Sequence, residues 1–264
     1  MSICFGKSRD LSLGVLGAIC TLFGLALNPG AVAQSATINS PAVLTQASQA
    51  FSSGKPVSSV EMTGTALVYE GGPPDEGGIA LTADAKGQTE LKLNLRKGGE
   101  RMESQDSASQ MMTCMWKKSD GVEHKARGIH CQTPLVWFLP MMTMQTPNTN
   151  QELTVSDLGI NSGDKPRHGM AVQFSSPRPD ASNAQTTNVR PARAAKLDLD
   201  SNSLLPGSYR YSLPAANSTA VIEFEIRFSD YRKIGDTHVP FLIQRYVNGA
   251  LQLEAHISEA HITN

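Results

Sequence analysis

Between Val221 and Thr263 apolar and polar residues alternate through three consecutive runs, broken at Gly235-Asp236 and again at Asn248-Gly249. No other feature of the chain constrains its fold as strongly. A period of two sends successive side chains to opposite faces, so each run reads as a strand with one apolar face. Asn-Gly is a favoured two-residue hairpin turn because both positions must take positive φ. Ile222, Phe224, Ile226 and Phe228 share a face of the first run, Phe241 and Ile243 a face of the second, and Leu251, Leu253, Ala255 and Ile257 a face of the third. Such a meander needs a partner for its apolar side before it is stable in water. Pro240 has no N–H to give a ladder, so it is expected at the beginning of its strand or at a bulge.

The same period recurs upstream. Val60, Met62, Ala66 and Val68 fall on one face, "GGIALTADA" follows, and Leu91, Leu93 and Leu95 alternate with Lys92, Asn94 and Arg96. Glycine-rich breaks such as "EGGPPDEGG" separate these runs in the manner of a β-meander, and "SQMMTCMWKK" can continue it. "HGMAVQFSS", "AKLDLD" and "GSYRYSL" supply further strands. Helical periodicity occurs over residues 40–54: Ser40 can cap, Pro41 suits the first position, and Val43, Leu44, Ala47, Ala50 and Phe51 form one apolar stripe ending at Gly54. Residues 118–165 break the alternation. There "TPLVWFLPMMTM" reads as a short apolar helix capped by Thr133, opened by Pro134 and limited by Pro140, with a loop from Met141 to Gln151. Residues 177–193, rich in Pro, Asn, Ser and Thr, read as a polar loop.

The N-terminus carries an address. Lys7 and Arg9 precede an apolar stretch over residues 11–27, Asn28-Pro29-Gly30 breaks any helix, and Ala31-Val32-Ala33 fits a small-x-small cleavage site. This is the pattern of a secretory signal peptide cut after Ala33, leaving Gln34 first and residues 34–264 as one domain, periplasmic or secreted and without a stable membrane span. Ile19 before Cys20 departs from a lipobox. The formal charge of the full chain is -1, and removing Lys7, Arg9 and Asp10 leaves the rest near neutral, so no nucleic-acid partner is implied. Cys114 and Cys131 remain in the exported part and are expected to form a disulfide in an oxidising compartment. Two separate thiols, or a metal site with His124 and His130, are the other readings, although "HKARGIHC" matches no standard zinc spacing.

Chemistry-bearing motifs are lacking: no phosphate-binding glycine loop, no G-x-S-x-G and no H-E-x-x-H. Asp198 and Asp200 alternate with leucines and read as a solvent face, and Asp230-Tyr231-Arg232 reads as local ion pairing at a strand end. His256 and His261, five apart on one strand, are expected on opposite faces. No residue is assigned to catalysis or metal binding, no cofactor is expected, and an enzyme is not the reading.

The remaining signal is apolar area. Three long strands with one apolar face, together with Met102, Met111, Met112, Met115, Met141, Met142 and Met144, can seal an ordinary core under the two helices. They can equally line a cavity that the helices fill only in part, where flexible methionines adapt to an irregular guest. In the second case the lining is Val60, Met62, Leu91, Leu93, Trp137, Phe138, Ile222, Phe224, Ile226, Phe241 and Ile243, and the guest is hydrophobic, a lipid or acyl chain.

"LDLDSNSLLPGSYRYSL" and "VIEFEIRFSDYRKIGDTHVPFLIQRYVNGALQLEAHISEAHIT" resemble the C-terminal half of the LolA/LolB-like periplasmic lipoprotein carrier superfamily, and in particular secreted relatives of acidobacterial type. "AFSSGKPVSSVEMTGTALVY" and "TPLVWFLP" are similar to the same group. The resemblance implies a curved antiparallel half-barrel of about eleven strands with helices across its concave side. It also implies non-catalytic binding of acyl chains, other lipids or an envelope protein partner in that surface.

Overall fold

The computed structural model describes residues 40–85, 88–105, 112–117, 120–127, 139–145, 152–161, 165–175, 193–214 and 220–264. They belong to one compact unit, Thr37–Asn264. Helix α1 (Ser40–Ser52) is followed by β1 (Ser59–Val68), β2 (Asp75–Asp84), β3 (Thr89–Leu95), β4 (Gly99–Gln105), β5 (Met112–Lys117) and β6 (Glu123–Arg127). Helix α2 (Pro140–Gln145) leads into β7 (Glu152–Asn161), β8 (Arg167–Ser175), β9 (Arg193–Asp200), β10 (Pro206–Pro214), β11 (Val221–Ile234), β12 (Thr237–Val247) and β13 (Ala250–Thr263).

All thirteen strands form a single sheet in the order β6-β5-β4-β3-β2-β1-β13-β12-β11-β10-β9-β8-β7. Every pairing is antiparallel. The sheet is thus two meanders, β1–β6 and β7–β13, zipped together where β1 meets β13, from Ser59↔Thr263 to Val68↔Leu253. The count is thirteen rather than about eleven. β6 and β7 lie in the stretch 118–165, where short or glycine-interrupted runs hide the alternation.

The sheet curves strongly, as one contact demonstrates. Arg245 of β12 reaches Glu103 of β4 at 3.4 Å. Four strands, β3, β2, β1 and β13, separate the two in the sheet, an arc of about 24 Å at the usual strand spacing. Two side chains close such an arc only if their shared face is hollow. Helix α1 spans the same hollow further along: it touches both β12 and the edge strand β7, on either side of β8–β11. Its stripe is the expected one, with Val43, Ala47 and Phe51 buried and Leu44 and Ala50 packed beside them. The helix ends where Ser53 and Gly54 take φ of 55° and 74°, and Gly54 N–H donates to the carbonyl of Ser48, a Schellman-type stop. Two contacts fix this end: His238 Nδ1 donates to the carbonyl of Ala50 at 2.8 Å, and Lys55 pairs with Asp236 at 2.8 Å.

Helix α2 corrects two expectations. Pro140 opens it instead of limiting it, and Met141–Gln145 is helix where a loop was expected. Proline is well suited to a first helical position because the N–H it lacks would have no intrahelical partner there. Met141, Met142 and Met144 are buried by this short helix. The segment 131–138, with Thr133 and Pro134, and the loop 177–192 lie outside the described residues.

The terminal meander is as expected. Asn248 and Gly249 take φ of 48° and 78° between the paired residues Val247 and Ala250, the I′ geometry that the dipeptide favours. Pro240 sits neither at the first position of β12 nor at a bulge; it is the fourth residue, opposite Tyr231. Pairing of β12 with β13 begins only at Leu242, so the missing N–H costs that ladder no hydrogen bond. His256 and His261 also differ from expectation. A register shift between β1 and β13 at Thr63/Gly64 sets Ile257 opposite Gly64 but Glu259 opposite Thr63. The extra residue, Ser258, restores both histidines to the outer face, as bulges do by re-phasing alternation. The bulge needs Gly64: a Cβ there would lie 2.0 Å from the carbonyl oxygen of His256.

Candidate functional site: the apolar concave face

The hollow face collects one side of nearly every strand. Val60, Met62, Ala66 and Val68 come from β1, Ile79 and Leu81 from β2, and Leu91, Leu93 and Leu95 from β3; all are buried. From the other meander come Met170 and Val172, Leu197 and Leu199, Tyr209 and Tyr211, Phe224, Ile226 and Phe228, Val239, Phe241 and Ile243, and Leu253, Ala255 and Ile257. The Tyr211 and Phe224 rings stack with centroids 4.9 Å apart. Of the residues singled out as lining, Val60, Met62, Leu91, Leu93, Phe224, Ile226, Phe241 and Ile243 are no more than 5% exposed, and Ile222 is half-buried beside them. They belong to one continuous cluster. Trp137, Phe138 and Cys131 lie outside the described residues, and of Cys114 only the backbone is described, as the register partner of Glu103.

Charges interrupt this apolar face at several places among the described residues: His168 and Asp157, opposite Leu199 and Met170, pair at 2.7 Å, Arg232 lies over the Phe241 ring, and Arg245 meets Glu103. Inward positions of β12 run Val239, Phe241, Ile243, Arg245, and those of β4 run Arg101, Glu103 opposite Leu93 and Leu91. Arg245 is flanked in register by Ile226 and Leu253, both fully buried. Its Nη1 donates to both carboxylate oxygens of Glu103 at 3.4 Å. Arg101 is held by Glu70, just beyond the end of β1, with its second nitrogen 2.9 Å from Oε2. That guanidinium holds the Glu70 carboxyl below the usual carboxylate range. Side-chain exposure rises stepwise from Arg245 (13%) through Glu103 (19%) and Arg101 (29%) to Glu70 (58%). These residues were not singled out in the sequence. The signal was there for Arg245 alone, which continues the alternation of Phe241 and Ile243; β4 carries no apolar alternation around Glu103.

The outer face is polar and internally paired. Asp198 is buried among Ser208 Oγ (3.2 Å), Lys196 Nζ (3.2 Å) and Arg210. Burial pushes its carboxyl up, but the two cations outweigh burial and hold it below its ordinary value. Asp200 instead accepts hydrogen bonds from Ser203 and Asn202 in the turn before β10. The two carboxylates thus serve separate polar surroundings, and Asp198 is buried where a solvent face was expected. Arg232, opposite Val239 and over the Phe241 ring, belongs to the concave side and pairs with Asp230, at φ 51°, at 2.7 Å, while Tyr231 donates its hydroxyl to the carbonyl of Pro206 at 2.8 Å. Three grooves formed by described residues, of about 370, 460 and 480 Å³, lie on this outer face along β2–β5, β1–β3 and β9–β11. Among the described residues no three His, Cys, Asp or Glu side chains gather as a metal site, and no helix is long and apolar enough to cross a membrane.

The chain is similar in structure to a LolA superfamily protein from Nitrosomonas europaea, with a TM-score of 0.48 and 9% identity over 85% of this chain and 94% of that one. It is also similar to a DUF1329 family protein from Desulfovibrio piger, with a TM-score of 0.49 and 7% identity over 84% and 91% of the two chains. A Vibrio parahaemolyticus domain described as a candidate outer membrane lipoprotein-sorting protein gives a TM-score of 0.40 at 9% identity, over 86% and 94%. These likenesses are of fold. No family model matches the sequence, and no curated protein matches it.

Proposed function

We propose that the protein is a non-catalytic carrier or receptor that holds a hydrophobic ligand, a lipid or acyl chain, against the concave face. The observation that carries this reading is the width of that apolar face against the small size of the described helices that cross it. It draws on β1–β3 and β8–β13, whereas the described helices crossing the hollow are α1, of 13 residues, and α2, of 6. The lining is buried in this structure, so a guest enters by displacing helix from sheet. Each methylene then transferred from water contributes about 0.8 kcal/mol. The methionines of α2 suit such an exchange because their side chains repack at small cost. The N-terminal pattern over residues 7–33 supports export to the periplasm or beyond, with residues 34–264 as the single working domain.

The test is a titration with a fluorescent fatty acid, followed by competition with the unlabelled acid. Saturable uptake, lost in an Ile226→Asp variant that still folds, supports the reading. A flat titration contradicts it.

One observation favours a second reading, a protein-interaction module. Strand β7 is an outer edge of the sheet, and its Leu158 and Ile160 are 56% and 65% exposed. An open edge with exposed apolar residues can accept a strand from an envelope protein. Cross-links from β7 to a co-purifying protein, in material free of lipid, would move the weight to that reading.

A further inference from the structure

Resting on the lipid-binding reading, we infer that His168 is a head-group site beside the β7 edge of the hollow and that the head it takes is an uncharged hydroxyl, as in a fatty alcohol or an acylglycerol. His168 continues the inward row of β8 ahead of Met170 and Val172, opposite Leu199 of β9 and Ile160 of β7. The ring is buried, and its Nε2 lies 2.7 Å from Oδ1 of Asp157, whose side chain is buried with it. The same oxygen accepts the N–H of Gly159 at 2.7 Å, so the irregularity in β7 also fixes the carboxylate.

Replacing a buried polar pair by hydrocarbon is commonly neutral or stabilising, so fastening β7 to β8 does not require this one. What hydrocarbon would not supply is a hydrogen-bonding group on an apolar wall. A carboxylate only accepts, so Nε2 carries the proton and the orientation of the ring is set. Nδ1, turned away from Asp157 by the shape of the ring, makes no hydrogen bond to a described residue. The row that crosses it gives the route. Ile160 is 65% exposed, His168 8% and Leu199 0%. A guest enters over the β7 edge, leaves its head at His168 and lays its chain along Leu199, Leu197 and Met170.

Charge selects the head. The register neighbours Ile160, Met170 and Leu199 carry none, alternation sends Arg167 to the other face, and Lys196 is bound there to Asp198. Among the described neighbours His168 is thus the one group that can supply a positive charge here, and Asp157 already matches it. An incoming carboxylate or phosphate would face Asp157 with no cation of its own. A hydroxyl both donates and accepts, so it satisfies Nδ1 with or without a proton there.

The experiment titrates protein recovered after expression of the full chain with three probes that share a pyrene fluorophore and a decyl chain: the alcohol, its methyl ether and the corresponding carboxylic acid. Near neutral pH the alcohol should bind about fivefold more tightly than the ether, the scale of one hydrogen bond, although the ether is the more apolar. It should exceed the ionised acid by at least as much. His168→Phe should bring the alcohol-to-ether ratio to one. Asp157→Asn keeps an oxygen that accepts from Nε2 but removes the charge, so it should raise acid binding several-fold relative to the alcohol. A pair that only fastens β7 would lower all three affinities together and move neither ratio, and that result overturns the inference. Equal binding of alcohol and ether to the unaltered protein overturns it too, while leaving the lipid-binding reading in place. Failure of all three probes to bind removes both. Should His168→Phe not fold, the acid-to-alcohol ratio seen with Asp157→Asn decides.

Discussion

Strand β12 meets two different kinds of closure along its length. At its start, His238 bonds the carbonyl of Ala50 and α1 lays Val43, Ala47 and Phe51 into the apolar cluster. Seven residues on, about 23 Å away along an extended strand, Arg245 crosses the hollow to Glu103. The first closure is apolar area with few polar contacts; the second is a loose ion pair with little area. Burial of hydrocarbon is the larger contribution to stability, and a partly exposed ion pair contributes little net. The helix end should therefore govern how stable the protein is.

That division can be broken by substitution. The largest effect is expected from Phe51→Ala, which empties a side chain only 2% exposed under α1. It should cost about 3–5 kcal/mol in urea denaturation, and a loss below about 1 kcal/mol would show that α1 does not seal its end. Acid comes next and acts at several places at once. Glu70, Asp198, Asp200 and Glu254 are all held below their ordinary values by hydrogen bonds or cations. Groups with depressed values in the folded state contribute stability above their unfolded value and lose it as pH falls through the folded one. Thermal midpoints should thus hold from neutrality to about pH 5 and drop below about pH 4. A loss centred near pH 6 would point to histidine instead.

His238→Ala should cost about 1 kcal/mol, the worth of one hydrogen bond, by the same denaturation measurement. Glu103→Gln should cost about as much or more, because it takes a carboxylate away from the largely buried Arg245 guanidinium. Lys55→Met should leave the melting curve unmoved, because its pair with Asp236 is solvent-exposed.

Much of the fold was legible because it is written in alternation. Val60 to Val68, Leu91 to Leu95 and Ile222 to Phe228 each keep period two, and the Asn248-Gly249 turn carries its own backbone requirement. What escaped depended on long-range geometry. Strand β7 holds a glycine and a register shift at Asp157/Gly159, which blur its pattern. His256 and His261 share a face only because of a bulge, a matter of pairing with β1 that no single strand announces. For the site, the apolar lining could be read residue by residue, but not its burial under α1 and α2. The Arg245–Glu103 contact joins residues 142 apart and exists only because the sheet curves. The buried pair of His168 and Asp157, 2.7 Å apart, escaped for a more local reason: it depends on how β7 pairs with β8, where the register shifts at Asp157/Gly159.

The most direct test of the central claim, that the concave face holds a hydrophobic ligand, is native mass spectrometry of the protein purified gently from its own compartment, followed by solvent extraction. The account predicts a discrete adduct that extraction releases as a lipid or acyl chain and that Ile226→Asp depletes. A single clean mass, with no extractable lipid and no uptake of added fatty acid, would mean that the apolar face is core alone and would contradict it.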